Sequence, residues 1–449
     1  MPRCALLLKG YAGTGKTSIT AAYVNALKAA NVGVVLLAPT GRAAKVLGGY
    51  SKTPAFTLHK KIYFPKKGSF GSFGMSLAPN KHKNTVFIVD EASMIGGQGI
   101  ASEQSFQYRS LLDDLIQYVY QGERCRLILI GDEAQLPPVG SDESPALQSD
   151  LLQSKYNLTI AEMKLTEVVR QQQDSGILHN ATILRDQIRE TSSGFPSLFL
   201  NSFSDIHSIG GNDLQEILED LYQKHGRDGV MLITRSNKRA NLFNQNIRTR
   251  IQWFEERMNA GDLIMIVKNN YHWLKGFKDA PTNFIANGDI AEILKIVREQ
   301  ELYGFHFADV EIRLLDYPSM PSFEVKIMLE SLDIEAANIP RAQISALYDE
   351  ISLDYSDLGD QKKIKQAVMD DPFFNALQVK FAYAVTCHKS QGGQWPAVIL
   401  DQGYLTEDML DQSLLRWFYT AFTRAQSELF LLNFHKEFFP EEKNGSSEH

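Results

Sequence analysis

The chain has 449 residues, 44% of them apolar and 22% charged, which suits two to four globular domains with sizeable cores. Its net charge of −7 excludes a globally basic nucleic-acid binder, although a local groove on an acidic protein can still be basic. Three scattered cysteines, Cys4, Cys125 and Cys387, argue against a disulfide framework or zinc site and for a reduced, cytoplasmic interior; no apolar run reaches the ~18 residues of a membrane span.

The apolar run Ala5–Leu8 predicts a strand, and a helix-compatible run follows from Ser18 to Ala30. Between them, Gly10-Tyr11-Ala12-Gly13-Thr14-Gly15-Lys16-Thr17 fits the G-x-x-x-x-G-K-[ST] phosphate loop in the strand–loop–helix setting that it requires. Gly10, Gly13 and Gly15 let backbone amides approach phosphates, Thr14 belongs to the same cradle, and the helix start adds partial positive charge. Lys16 is expected to reach the β- and γ-phosphates of ATP, and Thr17 to ligate Mg²⁺.

Further strands are predicted at Val32–Ala38, Thr85–Asp90 and Leu127–Gly131, alternating with helices as in a parallel α/β sheet. Residues 60–84 break the pattern. They are basic, punctuated by Gly and Ser, and carry Tyr63, Phe64, Phe70 and Phe73, which reads as an inserted hairpin. Asp90 and Glu91 follow the buried run Val86–Val89, at the strand end that faces the ligand crevice of a parallel sheet. Asp90 can share the Mg²⁺ with Thr17, and Glu91 can orient and deprotonate an attacking water. Gly131-Asp132-Glu133-Ala134-Gln135 repeats this arrangement one strand on, with Gln135 as a candidate sensor of the γ-phosphate.

The first domain is expected to span 1–158, and a second α/β domain 159–279 and 376–438. Strands of the second are predicted at Val230–Thr234, Leu263–Val267, Val379–Val385, Ala397–Leu400 and Leu429–Leu432. Residues 280–375 interrupt it. There the turn signal Asn287-Gly288 precedes Ile290–Val297, and alternating runs follow at Val310–Leu315 and Phe323–Met328, which suggests a small β-barrel-like insertion decorated by polar helices over 340–370. The polar stretch 439–449 is expected to be disordered.

The phosphate loop, the Asp90-Glu91 segment and the Gln135 segment, in this order, resemble superfamily-one helicases. Leu165-Thr166-Glu167-Val168-Val169-Arg170-Gln171 is similar to the family's fourth motif, and Thr234-Arg235-Ser236-Asn237 to the strand-end motif after it. Thr386-Cys387-His388-Lys389-Ser390-Gln391-Gly392 is similar to the fifth motif, and Tyr419-Thr420-Ala421-Phe422-Thr423-Arg424-Ala425 to the sixth. Leu37–Ala44, with Pro39 and Thr40, and Thr57-Leu58-His59 are similar to the first-domain strand-contact motifs. The short first insertion and the β-rich second one point to the RecD-like and Dda-like branch.

The resemblance implies two RecA-like P-loop NTPase domains in tandem, with a β-hairpin wedge bearing Phe64 in the first and an SH3-like barrel in the second. It implies ATP hydrolysis with Mg²⁺ at the cleft between them, completed by Arg170 and the arginine finger Arg424, with Gly392 near the nucleotide. Translocation 5′ to 3′ on single-stranded DNA and duplex unwinding follow, with Pro39, Thr40, Thr57, His59, Thr386, His388 and Ser390 on the strand. The implied partners are single strands, duplex junctions, and repair, recombination or single-strand-binding proteins, with the chain acting as a monomer. The family usually carries an upstream segment whose Gln reads the adenine edge. Only nine residues precede Gly10, so two alternatives stay open: the N-terminus is truncated and this segment lost, or adenine is read in another way. Two other readings stay open: an ATPase subunit of a recombination or repair complex without unwinding of its own, and an RNA helicase of a related branch.

Overall fold

A computed structural model of the chain describes residues 3–67, 73–97, 110–167, 175–190, 194–201, 203–277, 284–336 and 338–439. The first lobe holds, in chain order, β1 (Cys4–Gly10), α1 (Lys16–Ala29), β2 (Gly33–Ala38), α2 (Gly41–Ser51), β3 (Ala55–Thr57), α3 (Leu58–Ile62), β4 (Tyr63–Lys67), β5 (Phe73–Leu77), β6 (Thr85–Val89), α4 (Leu111–Gln121), β7 (Arg126–Gly131), α5 (Ser149–Tyr156) and β8 (Thr159–Leu165). Six strands form one parallel sheet in the order β3-β2-β6-β7-β1-β8. Its central strand β6 is buried along its whole length, which explains an uninterrupted apolar run rather than an alternating one. Separate apolar clusters cover the two faces.

β4 and β5 leave this sheet as an antiparallel hairpin, Tyr63 opposite Leu77. The Tyr63 hydroxyl donates to the Asp114 carboxylate on α4 at 2.8 Å and so pins the hairpin's root, while the next residue, Phe64, is 40% exposed.

The second lobe holds α6 (Gly176–Glu190), β9 (Ile206–Ile209), α7 (Leu214–His225), β10 (Val230–Thr234) and α8 (Asn237–Arg250). Next come β11 (Leu263–Ile266), β12 (Ile290–Leu302), β13 (Phe305–Leu314), β14 (Phe323–Met328), α9 (Glu330–Asp333), α10 (Arg341–Asp354), α11 (Gln361–Asp370) and β15 (Val379–Phe381). The chain then returns through β16 (Ala384–Thr386), α12 (Cys387–Ser390), β17 (Trp395–Asp401), α13 (Gln412–Phe422) and β18 (Ala425–Leu432). A parallel sheet runs β16-β10-β17-β18-β9, and an antiparallel one runs β14-β13-β12-β11-β15.

Three expectations from the sequence need correction. Thr159–Leu165 belongs to the first sheet, because all seven of its residues pair with β1. Leu263–Ile266 lies in the antiparallel sheet and not in the second parallel one. Val379–Val385 is divided between the two: Val379–Phe381 closes the antiparallel sheet and Ala384–Thr386 edges the parallel one. Short, fully buried apolar runs look alike in either kind of sheet, so periodicity cannot name their neighbours. Residues 440–449, most of the expected disordered tail, lie outside the described residues.

One apolar cluster runs through both sheets of the second lobe and also takes in Tyr11, Ala134 and Leu136 of the first. The apolar contact between the lobes therefore sits beside the phosphate loop. Among the described residues no helix is long and apolar enough to cross a membrane.

Candidate active site and strand path

β1 delivers the chain to a loop in which Gly13 and Gly15 have φ of 77° and 81°, a backbone region that side-chain-bearing residues rarely adopt. That conformation turns the chain into α1, whose first turn carries no acidic side chain. Thr14 is buried and its hydroxyl donates to the Tyr11 carbonyl at 2.8 Å, which braces the loop. Lys16 folds its ammonium back onto the carbonyls of Gly10 and Tyr11, at 2.7 and 2.8 Å. These carbonyls hold the cation over the loop, where an anion on the loop amides would meet it.

Asp90 ends β6 beside Glu91. Burial and the Glu91 charge push the Asp90 carboxyl up to about 6, against the pull of the Glu91 amide and Lys16. Glu91 itself has φ 51°. Asp132, at the end of β7, is wholly buried, and burial raises its pKa while Lys16, the Tyr419 hydroxyl and the Ala134 amide pull it down. One cation therefore serves carboxylates from two adjacent strands. Nearby, the Oε1 of Gln135 and the Oγ of Ser93 are buried with no hydrogen-bond partner among the described residues. Buried polar atoms are ordinarily satisfied, so these two mark places for a polar group from outside the chain. Paired carboxylates, a poised Lys and orphaned acceptors suit a phosphate–Mg²⁺ unit, for which one or two carboxylates are usual.

The second lobe grips the segment around Gln135. The Leu136 amide donates to Thr420 Oγ1 at 2.8 Å, and Gln391 Nε2 donates to the Leu136 carbonyl at 2.8 Å. Arg416 donates to the Glu133 carbonyl. The Tyr419 hydroxyl donates to Asp132 at 2.6 Å and accepts from the Ala12 amide at 2.9 Å. Beside these contacts lies a cavity of about 230 Å³, lined by Tyr11, Glu133, Lys164, Arg185, Gln148 and Arg416 among others. The Arg185 guanidinium stacks over the Tyr11 ring at 4.8 Å. The sequence assigned no role to Tyr11, Arg185, Arg416 or Tyr419, and marked Asp132 by its position without giving it a role. The acid after β7 was the one signal available, because it repeats the position of Asp90.

Two arginines expected to complete the site differ in what can be said of them. Arg170 lies outside the described residues. Arg424 is buried and, among the described residues, donates within its own lobe: to the carbonyls of Thr420 at 2.9 Å and Gly393 at 3.1 Å, and to Thr423 Oγ1 at 3.0 Å. Two backbone carbonyls and a hydroxyl thus hold its guanidinium.

Most strand-path candidates lie at the carboxyl ends of β2, β3 and β16, toward the sheet edges, whereas the phosphate loop and the carboxylates end β1, β6 and β7. The two sets of candidates thus follow different strands, β2 and β6 being neighbours where the sets meet. Pro39, Thr40 and Thr386 are half-buried, His388 is exposed, and burial lowers the His59 pKa. Thr40 and Thr57 each cap a helix, accepting from the amides of Ala43 and Lys60 at 3.2 Å. Thr57 is buried, and Ser390 is wholly buried with its hydroxyl on the Cys387 carbonyl at 2.7 Å, so neither reaches a strand. Gly392, expected near the nucleotide, stands instead against Thr40 and Ala43 at the start of α2.

A phosphate loop at the end of a parallel-sheet strand, facing a second parallel α/β lobe, defines a two-lobed P-loop nucleotide-binding protein. An AAA domain family matches residues 2–194, and the UvrD-like helicase C-terminal domain matches residues 381–432. The chain is 25% identical over 441 residues to the ATP-dependent RecD2 DNA helicase of Deinococcus radiodurans, covering 95% of this chain and 46% of that protein. It is 28% identical over 276 residues to the ATP-dependent DNA helicase dda of Enterobacteria phage T4, covering 58% of this chain and 55% of the other. The chain thus spans about half the length of these two relatives. A Pif1 helicase from Bacteroides, solved with ADP-AlF3 and single-stranded DNA, aligns over 98% of this chain and 92% of its own at 14% identity and a TM-score of 0.49. The chain is thus similar, along most of its length, to superfamily-one helicases, the RecD2 and dda proteins among them.

Proposed function

We propose that this protein is an ATP-driven DNA helicase that moves 5′ to 3′ along single-stranded DNA and unwinds duplex, hydrolysing ATP between two RecA-like lobes. The observation that carries this reading is the grip of the second lobe on Asp132–Leu136, which makes the candidate γ-phosphate sensor mechanically part of both lobes. Lys16 neutralises the β- and γ-phosphates, Thr17 and Asp90 hold Mg²⁺, and Glu91 takes the proton of the attacking water. Mg²⁺ bound there supplies charge neutralisation on the phosphoryl oxygens.

Strand contacts through Pro39, Thr40, His59, Thr386 and His388 are mainly to phosphates, hence indifferent to sequence. The β4–β5 hairpin acts as the wedge, and the antiparallel sheet, read as an SH3-like barrel, closes over the strand. Unwinding of a duplex with a 5′ single-stranded tail, compared with a 3′-tailed one, tests the reading. Displacement of the 5′-tailed substrate alone is expected, and a preference for the 3′ tail overturns the polarity.

A further inference from the structure

We propose that Tyr419 is a positioning residue that ties the movement of the second lobe to the phosphate loop and to the sensor segment, through one hydroxyl shared between them. The inference rests on the ATP-driven reading above. Tyr419 lies on α13 of the second lobe, 1% exposed, and among the described residues both partners of its hydroxyl are in the first. Its oxygen accepts the Ala12 amide of the phosphate loop at 2.9 Å, and its proton goes to Asp132 Oδ2 at 2.6 Å. The other oxygen of Asp132 accepts the Ala134 amide at 3.0 Å, one residue before Gln135.

The next residue on the helix, Thr420, takes the Leu136 amide, one residue after Gln135. The carbonyl of Thr420 in turn holds Arg424. One turn of α13 thus connects the loop, the residues on both sides of Gln135, and the candidate finger. Asp132 is fully buried with the lobes together, so a slight parting takes away the Tyr419 donor before water can replace it and leaves only the Ala134 amide, and a buried carboxylate left half-satisfied is strongly disfavoured. The bridge therefore favours two arrangements, engaged or withdrawn, over a graded one. Nucleotide bound on the loop amides would bias that choice through Ala12.

The test is Tyr419→Phe, which keeps the ring in the core and removes the hydroxyl. The measured quantity is the ratio of ATPase turnover with and without single-stranded DNA, which does not depend on the fraction of folded enzyme. We expect KM for ATP to stay within about threefold and the stimulation ratio to fall at least fivefold. Asp132→Asn should lower the ratio as well, and the double variant should be no worse than the more severe single one. An unchanged ratio in Tyr419→Phe, or effects that multiply in the double variant, overturns the proposal while the ATP-driven reading stands. Wild-type protein whose ATPase ignores single-stranded DNA overturns that reading, and this proposal with it.

Discussion

Gly392 of the second lobe and Thr40 of the first meet so closely that a Cβ at Gly392 would lie 2.7 Å from the Thr40 hydroxyl. That hydroxyl caps α2, and Gly392 has φ 74°, so neither side can yield without loss. Gly392→Ala is expected to destabilise the protein by about 2 kcal/mol and to weaken single-strand binding, since both strand-path segments meet there. Urea unfolding and fluorescence anisotropy with a labelled oligonucleotide check this; unaltered values for both would rule out a tight contact.

Arg424 supplies three hydrogen bonds inside its lobe. Arg424→Gln should therefore reduce stability by about 3 kcal/mol, because buried carbonyls lose a charged donor. It should also lower turnover by a thousandfold or so if the guanidinium swings to the phosphates during the cycle. Thermal melting and single-turnover hydrolysis separate the two effects. Loss of stability with ordinary turnover would assign Arg424 to architecture alone.

Glu91→Gln should leave nucleotide binding intact and lower turnover by about 10²- to 10⁴-fold, the usual contribution of a positioned base. Binding of a fluorescent ATP analogue beside phosphate release measures both. Normal turnover would remove Glu91 from that role.

Asp289 is 2% exposed, and burial, with a smaller push from the Asp316 charge, raises its carboxyl to about 7 although the Ala286 amide pulls it down. The folded form then holds a proton that the unfolded chain releases near pH 4. Stability should fall as pH rises from about 4 to about 7, by up to about 4 kcal/mol, and level off above. Asn can keep the bond from the Ala286 amide, so Asp289→Asn should be more stable than wild type at pH 8 and equal to it near pH 4. Denaturation at both pH values provides the check, and a difference independent of pH would contradict it.

Phe64 stands 40% exposed on β4, next to the residue that pins the hairpin to α4. Phe64→Ala should slow strand displacement severalfold and spare DNA-stimulated ATPase, because stacking on a base contributes about 1–3 kcal/mol. Equal losses in both assays would place Phe64 outside the wedge.

Where chemistry is local, the residues were readable in order along the chain. The phosphate loop needs its glycines, Lys16 and Thr17 consecutively, and Asp90 needs only a buried strand before it, so a single stretch carries each signal. The hairpin at β4–β5 was marked by its change in composition, and the Asn287-Gly288 turn lies just ahead of β12, with Gly288 at φ 94°.

Tertiary structure alone decided which strand lies beside which, and where polar groups point. β8 and β11 carry no mark of their partners, because a backbone ladder accepts almost any strand and burial selects the neighbour. Ser390 and Arg424 sit in recognisable motifs, yet their polar atoms are taken up by nearby carbonyls. Tyr419 and Asp132 are 287 residues apart, and nothing in either stretch announces the other. Their 2.6 Å contact exists only because the two lobes close an apolar seam beside the phosphate loop, and buried polar groups caught at such a seam must satisfy each other.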